Sequence, residues 1–184
     1  GFSLVIALDC GIKAMDKVEL ATQLGVDFII CDHHTPGDEL PQAVAVLDPK
    51  RQDCPYPYKE LSGCGVGFKL IQAYAKAQQL EESSLYAYLD LVVVSIAADI
   101  VPITGENRIL AYYGLDRINN TPRAGLKALM LLAKLEKEIQ ISEIVFKIGP
   151  RINASGRLEH AKASVELLLA TNLDEAIDRA KLVD

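Results

Sequence analysis

Residues 4–34 read LVIALDCGIKAMDKVELATQLGVDFIICDHH, and the fold class follows from that stretch. Leu4-Val5-Ile6-Ala7-Leu8 is a continuous apolar run that ends at Asp9-Cys10-Gly11. A short run without polar alternation suits a parallel strand buried on both faces. Over residues 13–24, Met15, Val18, Ala21, Thr22 and Leu24 fall near helical spacing, and Gly25 is a good helix stop. Phe28-Ile29-Ile30-Cys31 reads as a second strand, ended by Asp32-His33-His34. Residues 43–47 read as a third, ended by Asp48-Pro49. Strand, helix and strand in this rhythm predict parallel strands joined by right-handed crossovers.

Beyond residue 62 the strand patterns stop. Gly63-Cys64-Gly65 reads as a glycine-rich turn before a helix over 66–80. Helical patterns follow over 84–98, 108–117, 124–135 and 142–148. Gly149-Pro150 interrupts them, and helices over 161–170 and 173–183 close the chain. Asn172 and Glu175 have capping-box spacing for the last one. The expected architecture is α/β: a small parallel sheet flanked by helices, in residues 1–62, followed by a mostly helical continuation of the same core, in residues 63–184. The sequence is strand-like by Leu4 without a preceding Met and stops at Asp184 within a helical pattern. This reads as the middle of a longer protein.

Composition narrows the function classes. Of 184 residues, 50% are hydrophobic and 24% charged, a globular balance that excludes disorder as the main state. The longest apolar stretch, Leu91 to Ala98, is eight residues, far below the ~20 that span a bilayer, so no membrane is expected. A net charge of −6 disfavours a uniformly basic nucleic-acid surface but leaves room for a local one. Cys10, Cys31, Cys54 and Cys64 lack zinc-type spacing and read as free buried thiols of a cytoplasmic protein.

Four groups of residues could carry chemistry. Asp9, Asp32 and Asp48 each follow a strand, and ligands of open α/β sheets bind beyond those carboxyl ends. An aspartate after a strand can equally well close a turn. Asp32-His33-His34 combines carboxylate with imidazole, a donor set that fits manganese best, with magnesium and zinc also open. Consecutive residues leaving a strand point different ways, so His33 and His34 are expected to divide metal and substrate duties. Asp99 closes the apolar run Val92-Val93-Val94-Ser95-Ile96-Ala97-Ala98. It is either a ligand, whose burial would be costly unless paired, or a helix-end residue that reaches solvent. In Gly149-Pro150-Arg151-Ile152-Asn153-Ala154-Ser155-Gly156-Arg157, small residues and two arginines suit a phosphate. Around it Lys147, Arg151, Arg157 and Lys162 stand against Glu159 alone, a local surplus of three positive charges. Gly63-Cys64-Gly65-Val66-Gly67 offers a weaker cradle, with Lys69 one turn further on. Carboxylates, histidines and a phosphate loop together suggest metal-assisted phosphoester hydrolysis.

These motifs, in this order, together with Pro55-Tyr56-Pro57, Leu61-Ser62-Gly63 and Ala98-Asp99-Ile100-Val101-Pro102, resemble the DHH phosphoesterase superfamily and, within it, the RecJ family of single-stranded-DNA-specific exonucleases. The likeness covers nearly the whole chain. The resemblance implies metal ligation by Asp9, His33 and Asp99, and catalytic roles for His34 at the scissile phosphate and for Asp32 in orienting a histidine. It implies DNA-phosphate contacts by Arg151, Asn153, Gly156 and Arg157, and Mn2+ or Mg2+, two ions in the full-length protein. It also implies single-stranded DNA as partner and 5′-to-3′ exonuclease action in DNA repair and recombination. The family's upstream Asp-x-Asp metal motif and its C-terminal substrate domain have no counterpart in these residues, so the isolated 184-residue chain is expected to be inactive. Asp48 keeps the turn reading. A phosphodiesterase for short oligoribonucleotides or cyclic dinucleotides and a non-catalytic nucleic-acid-binding module are the rival readings.

Overall fold

A computed structural model describes residues 1–154 and 158–183, with side chains for 1–153 and 161–182. The strands β1 (Leu4–Leu8), β2 (Asp27–Cys31) and β3 (Ala45–Leu47) form a parallel sheet in that order. Leu8 lies opposite Cys31, and Cys31 opposite Leu47, so the chain leaves all three strands at one level. The ladder runs one step further: Asp9 N–H donates to Cys31 O at 2.9 Å and Asp32 N–H to Leu47 O at 3.0 Å. Helix α1 (Met15–Gln23) makes the crossover from β1 to β2, burying Val18 and Ala21. It ends where Gly25 adopts φ +70°, a backbone region that only glycine enters cheaply.

β2 is the buried centre of the sheet, with Ile30 and Cys31 inaccessible. β1 departs from the sequence expectation of burial on both faces. It is an edge strand, bonded to β2 alone, and Leu4, Val5, Ile6 and Leu8 remain between 37% and 53% exposed. An apolar run reports that a strand can be buried; it does not supply the neighbour that buries it.

Helix α2 (Gly63–Ala77) begins three residues earlier than its apolar spacing suggests. The supposed turn Gly63-Cys64-Gly65 is its first turn, because Ser62 caps it: Gly65 N–H donates to Ser62 Oγ at 3.2 Å. An N-cap serine satisfies one of the helix's orphan N–H groups and offsets the poor propensity of glycine there. The helix packs on β1 and β2 and buries Val66, Phe68 and Ala75.

The chain divides into two compact units, Gly1–Tyr86 with Val101–Ile109, and Ala87–Ile100 with Leu110–Asp184. The boundary at 62/63 read from the sequence falls inside the first unit, since α2 stays with the sheet it covers. Residues 101–107 are fastened there by polar contacts. Tyr58 donates its hydroxyl to Pro102 O at 3.0 Å, Tyr56 to Glu106 Oε2 at 2.6 Å, and Asn107 Nδ2 donates to Glu60 O at 2.5 Å.

The second unit is helical. It contains α3 (Leu89–Ala98), α5 (Ala124–Leu132), α6 (Ile141–Glu143), α7 (Gly149–Ala154), α8 (Leu158–Leu169) and α9 (Leu173–Val183); α4 (Gly105–Asn120) leads into it, as does a 3-10 stretch at Glu82–Tyr88. Its core includes Val92, Val93, Ile96, Leu126, Leu129, Ile144, Ile148, Leu167 and Ala176. Arg123 clamps Asp90 in a two-pronged pair, Nε to Oδ2 at 2.8 Å and Nη2 to Oδ1 at 2.7 Å. The expected break at Gly149-Pro150 does not occur. A π-helical turn, Ile144–Ile148, runs directly into α7. Proline lacks an N–H and crowds the carbonyl four residues back, and the wider turn before Pro150 accommodates both defects. Asn172 caps α9 as its spacing predicts, with Glu175 N–H donating to Asn172 Oδ1 at 2.8 Å.

Candidate metal centre

The common level of the strand ends places Asp9, Asp32 and Asp48 along one edge of the sheet. Asp9 leaves β1 with φ 63°, in the left-handed region that L-residues occupy at a cost, and Gly11 follows at φ 110°. Such strain persists only where the surroundings impose it, and it gathers at functional sites. The surroundings here include Gly63. A Cβ on Gly63 would stand 1.9 Å from Asp9 Oδ1, so the missing side chain at 63 is the space that the Asp9 carboxylate fills.

His33 Nε2 approaches Asp9 Oδ1 at 3.1 Å. One ligand atom from each of Asp9, His33 and His34 lies within 4.8 Å of the others, and this is the one such grouping among the described residues. The two imidazoles meet edge to face, centroids 4.5 Å apart at 63°. One carboxylate and two imidazoles at this spacing fit a transition-metal ion, and the glycine cradle against Asp9 keeps the carboxylate in place for it.

Asp32 stands behind the cluster, 1% exposed. Its Oδ2 accepts from Ile12 N–H at 2.9 Å, and its Oδ1 from His33 N–H at 2.8 Å and His34 N–H at 3.3 Å. His34 Nδ1 lies 2.7 Å from the same Oδ1. Burial opposes its charge, but the hydrogen bonds from Ile12, His34 and His33 together outweigh burial and hold the carboxyl below its ordinary range. An ionised Asp32 makes His34 Nδ1 the donor, which leaves the Nε2 lone pair for a metal or a substrate proton.

Asp48, which the sequence leaves as a turn residue, does close a turn: Lys50 N–H donates to its Oδ1 at 2.8 Å. It is also 2% exposed, and its Oδ2 has no hydrogen-bond partner. Burial pushes its carboxyl up; the Lys50 N–H pulls it back, and the Asp32 charge raises it again. Chain order carries no sign of that burial.

Asp99, Arg151 and Asn153 belong to the second unit. Asp99 caps α3 in an exposed position there, and Ser95 Oγ donates to its Oδ2 at 3.1 Å. Arg151 and Asn153 sit on α7, not on a loop; Arg151 Nη1 donates to Lys147 O at 2.7 Å, and Asn153 is exposed. Gly156 and Arg157 lie outside the described residues. Lys69 does not await an anion: it pairs with Glu106 and donates to Gln72 Oε1 at 2.9 Å. None of the four cysteines is in a disulfide, and only Cys31 is buried, since the others sit in loops or the first turn of α2. No helix among the described residues is long and apolar enough to cross a membrane.

Comparison with known proteins gives the family. The DHH family, N-terminal domain, matches residues 3–96. The single-stranded-DNA-specific exonuclease RecJ of Bacillus subtilis (strain 168) is 43% identical over 185 residues, covering 100% of this chain and 23% of that protein. A crystal structure of exonuclease RecJ bound to manganese superposes with a TM-score of 0.86 at 32% identity, over 98% of this chain and 45% of the other. RecJ from Thermus thermophilus in complex with Mg2+ superposes with a TM-score of 0.76 at 30% identity, over 98% and 25%. The chain thus spans less than a quarter of the length of the Bacillus relative. A strand-end aspartate, an Asp-His-His run and a parallel sheet that brings them together are, with that match, sufficient: the chain belongs to the DHH family.

Proposed function

We propose that the chain is part of the catalytic core of a metal-dependent exonuclease that degrades single-stranded DNA from the 5′ end, in DNA repair and recombination in the cytoplasm. The observation that carries the reading is the Asp9, His33 and His34 cluster, its ligand atoms within 4.8 Å, in a chain similar over its full length to RecJ exonucleases. Mn2+ or Mg2+ is the proposed cofactor, two ions in the whole protein, with Asp9, His33 and Asp99 as protein ligands from this chain. When bound, the metal supplies an activated water and neutralises charge on the phosphate. The chain's own residues do the rest. Asp32 orients the His34 ring through Nδ1, so that Nε2–H of the protonated ring donates to the scissile phosphate. Arg151, Asn153, Gly156 and Arg157 are the proposed DNA-phosphate contacts; bidentate arginine suits phosphate and gives salt-sensitive binding.

The test is degradation of 5′-phosphorylated single strands by the full-length protein in Mn2+, alongside Asp9→Ala and His33→Ala. Loss of digestion in both variants with the fold retained supports the reading. Intact strands with the wild-type protein overturn it. Digestion of dinucleotides in preference to long strands moves the assignment to a small-substrate phosphodiesterase. Salt-dependent DNA binding that ignores metal and survives His33→Ala moves it to a binding module.

A further inference from the structure

Phe146 is 76% exposed, more than any other aromatic ring of the second unit among the described residues. In the run 144–153, Ile144, Ile148 and Gly149 are buried, whereas Phe146, Lys147, Pro150 and Asn153 are exposed. Those four positions recur at helical spacing, so they share the outer face of the π turn and α7. A single exposed apolar residue is ordinary. The company that this one keeps is not.

Lys147 stands next to it, and Arg151, one turn on, is tied back by Nη1 donating to Lys147 O at 2.7 Å. Glu143 is the sole acid from 140 to 158, and its carboxylate serves its own helix cap, where Gln140 N–H donates to Oε2 at 2.9 Å. The face therefore combines positive charge with one apolar ring. Phe146 also sits within the π turn, and such turns are rare and gather at functional sites. Charge complementarity selects an anionic occupant, and the ring selects one with flat apolar faces to offer. A single-stranded nucleic acid has both: phosphates along its backbone, and unpaired bases that stack on aromatic side chains. The bases of a duplex are already stacked on each other.

We infer that Phe146 is a base-stacking platform: its ring takes one unpaired base of a strand whose phosphates run past Lys147, Arg151 and Asn153. This rests on the proposed role of α7 in contacting DNA phosphates. It adds an aromatic contact that favours single strands over duplex and reads no sequence, because every base has a π face.

The test is fluorescence anisotropy of labelled single strands with the full-length protein, divalent metal chelated so that the strands stay whole. Phe146→Ala is expected to bind roughly 5- to 150-fold more weakly, and Phe146→Trp at least as tightly as wild type. The ring releases no counterions, so the salt dependence of Phe146→Ala should keep the wild-type slope, whereas Lys147→Ala should flatten it by about 0.7. On an abasic strand, wild type and Phe146→Ala should bind alike. The variant should melt at the wild-type temperature. Photo-cross-linking of the wild-type protein to 5-iodouracil strands needs no variant and should modify Phe146. Wild-type affinity in Phe146→Ala, a loss of the same size on the abasic strand, or cross-links at other residues alone overturn the inference. A lower melting temperature for Phe146→Ala also overturns it, since the ring would then be packed against another part of the protein. The exonuclease assignment is decided separately, by whether the wild-type protein digests single strands.

Discussion

Gly63→Ala is the sharpest test of how the metal centre is held. The added Cβ would lie 1.9 Å from Asp9 Oδ1, 2.3 Å from Cγ and 2.6 Å from Cβ. No real Cβ contact comes closer than about 3 Å, so one partner must retreat by about 1 Å or more. The backbone at 63 cannot, because it is the first turn of α2, held through the Ser62 cap. The Asp9 carboxylate can, because its side chain is half exposed. The expected response is therefore a displaced ligand in an intact fold. Overpacking costs about 1–3 kcal/mol, and the better helix propensity of alanine returns up to about 1 kcal/mol, so the melting temperature falls modestly. Function suffers more: a ligand misplaced by about 1 Å is worth roughly 100-fold in rate, and Mn2+ affinity should drop on the order of 10- to 100-fold. Gly67→Ala on the same helix is the control. Its Cβ would meet only the flexible end of Leu8, at 3.3 Å, so affinity and activity should stay and stability should hold. Calorimetric Mn2+ titration, thermal melts and single-strand digestion by the full-length protein read all three quantities. Wild-type metal affinity and digestion rate in Gly63→Ala would refute the argument that this glycine exists to seat Asp9.

The Asp32 carboxyl has a folded pKa below its unfolded value, so the stability it adds is full at neutral pH and is lost as pH falls through that folded value. Asp32→Asn should accordingly melt lower than wild type at neutral pH, with the gap closing in melts taken at progressively more acid pH; a constant gap would sink this assignment. Arg123→Ala strands the buried Asp90 charge and should cost about 3–5 kcal/mol in denaturant unfolding, whereas replacing both partners by apolar residues of similar volume should cost much less. Equal losses from the single and double replacements would show that packing, not the stranded charge, sets the cost.

The sheet and the heart of the site are legible in the sequence because both depend on local pattern. Three apolar runs with an aspartate at each end need only parallel pairing to bring Asp9, Asp32 and His33 together, and the run between 4 and 34 contains the crossover that makes them parallel. What is not legible depends on neighbours distant along the chain. The first turn of α2 looks like a loop because Gly63 answers to Asp9, 54 positions away, and not to helix propensity. The Ser62 cap is the signal that could have found it. Pro150 looks like a helix stop because the rule it obeys assumes an α-helical turn before it, and the chain supplies a π turn instead. Asp48 looks like any turn aspartate, since a turn and a buried carboxylate use the same residue.

The edge strand β1 bears on how this stretch behaves when produced by itself. LVIAL contains no charge, no proline and no bulge, the devices by which natural sheets keep a bare edge from recruiting another chain. Its outer hydrogen-bonding row and half-exposed side chains form a ready template for strand addition. Material cut to these 184 residues will tend to associate edge to edge in a concentration-dependent manner, and a lysine at Val5 or Ile6 is the gatekeeper that would discourage it.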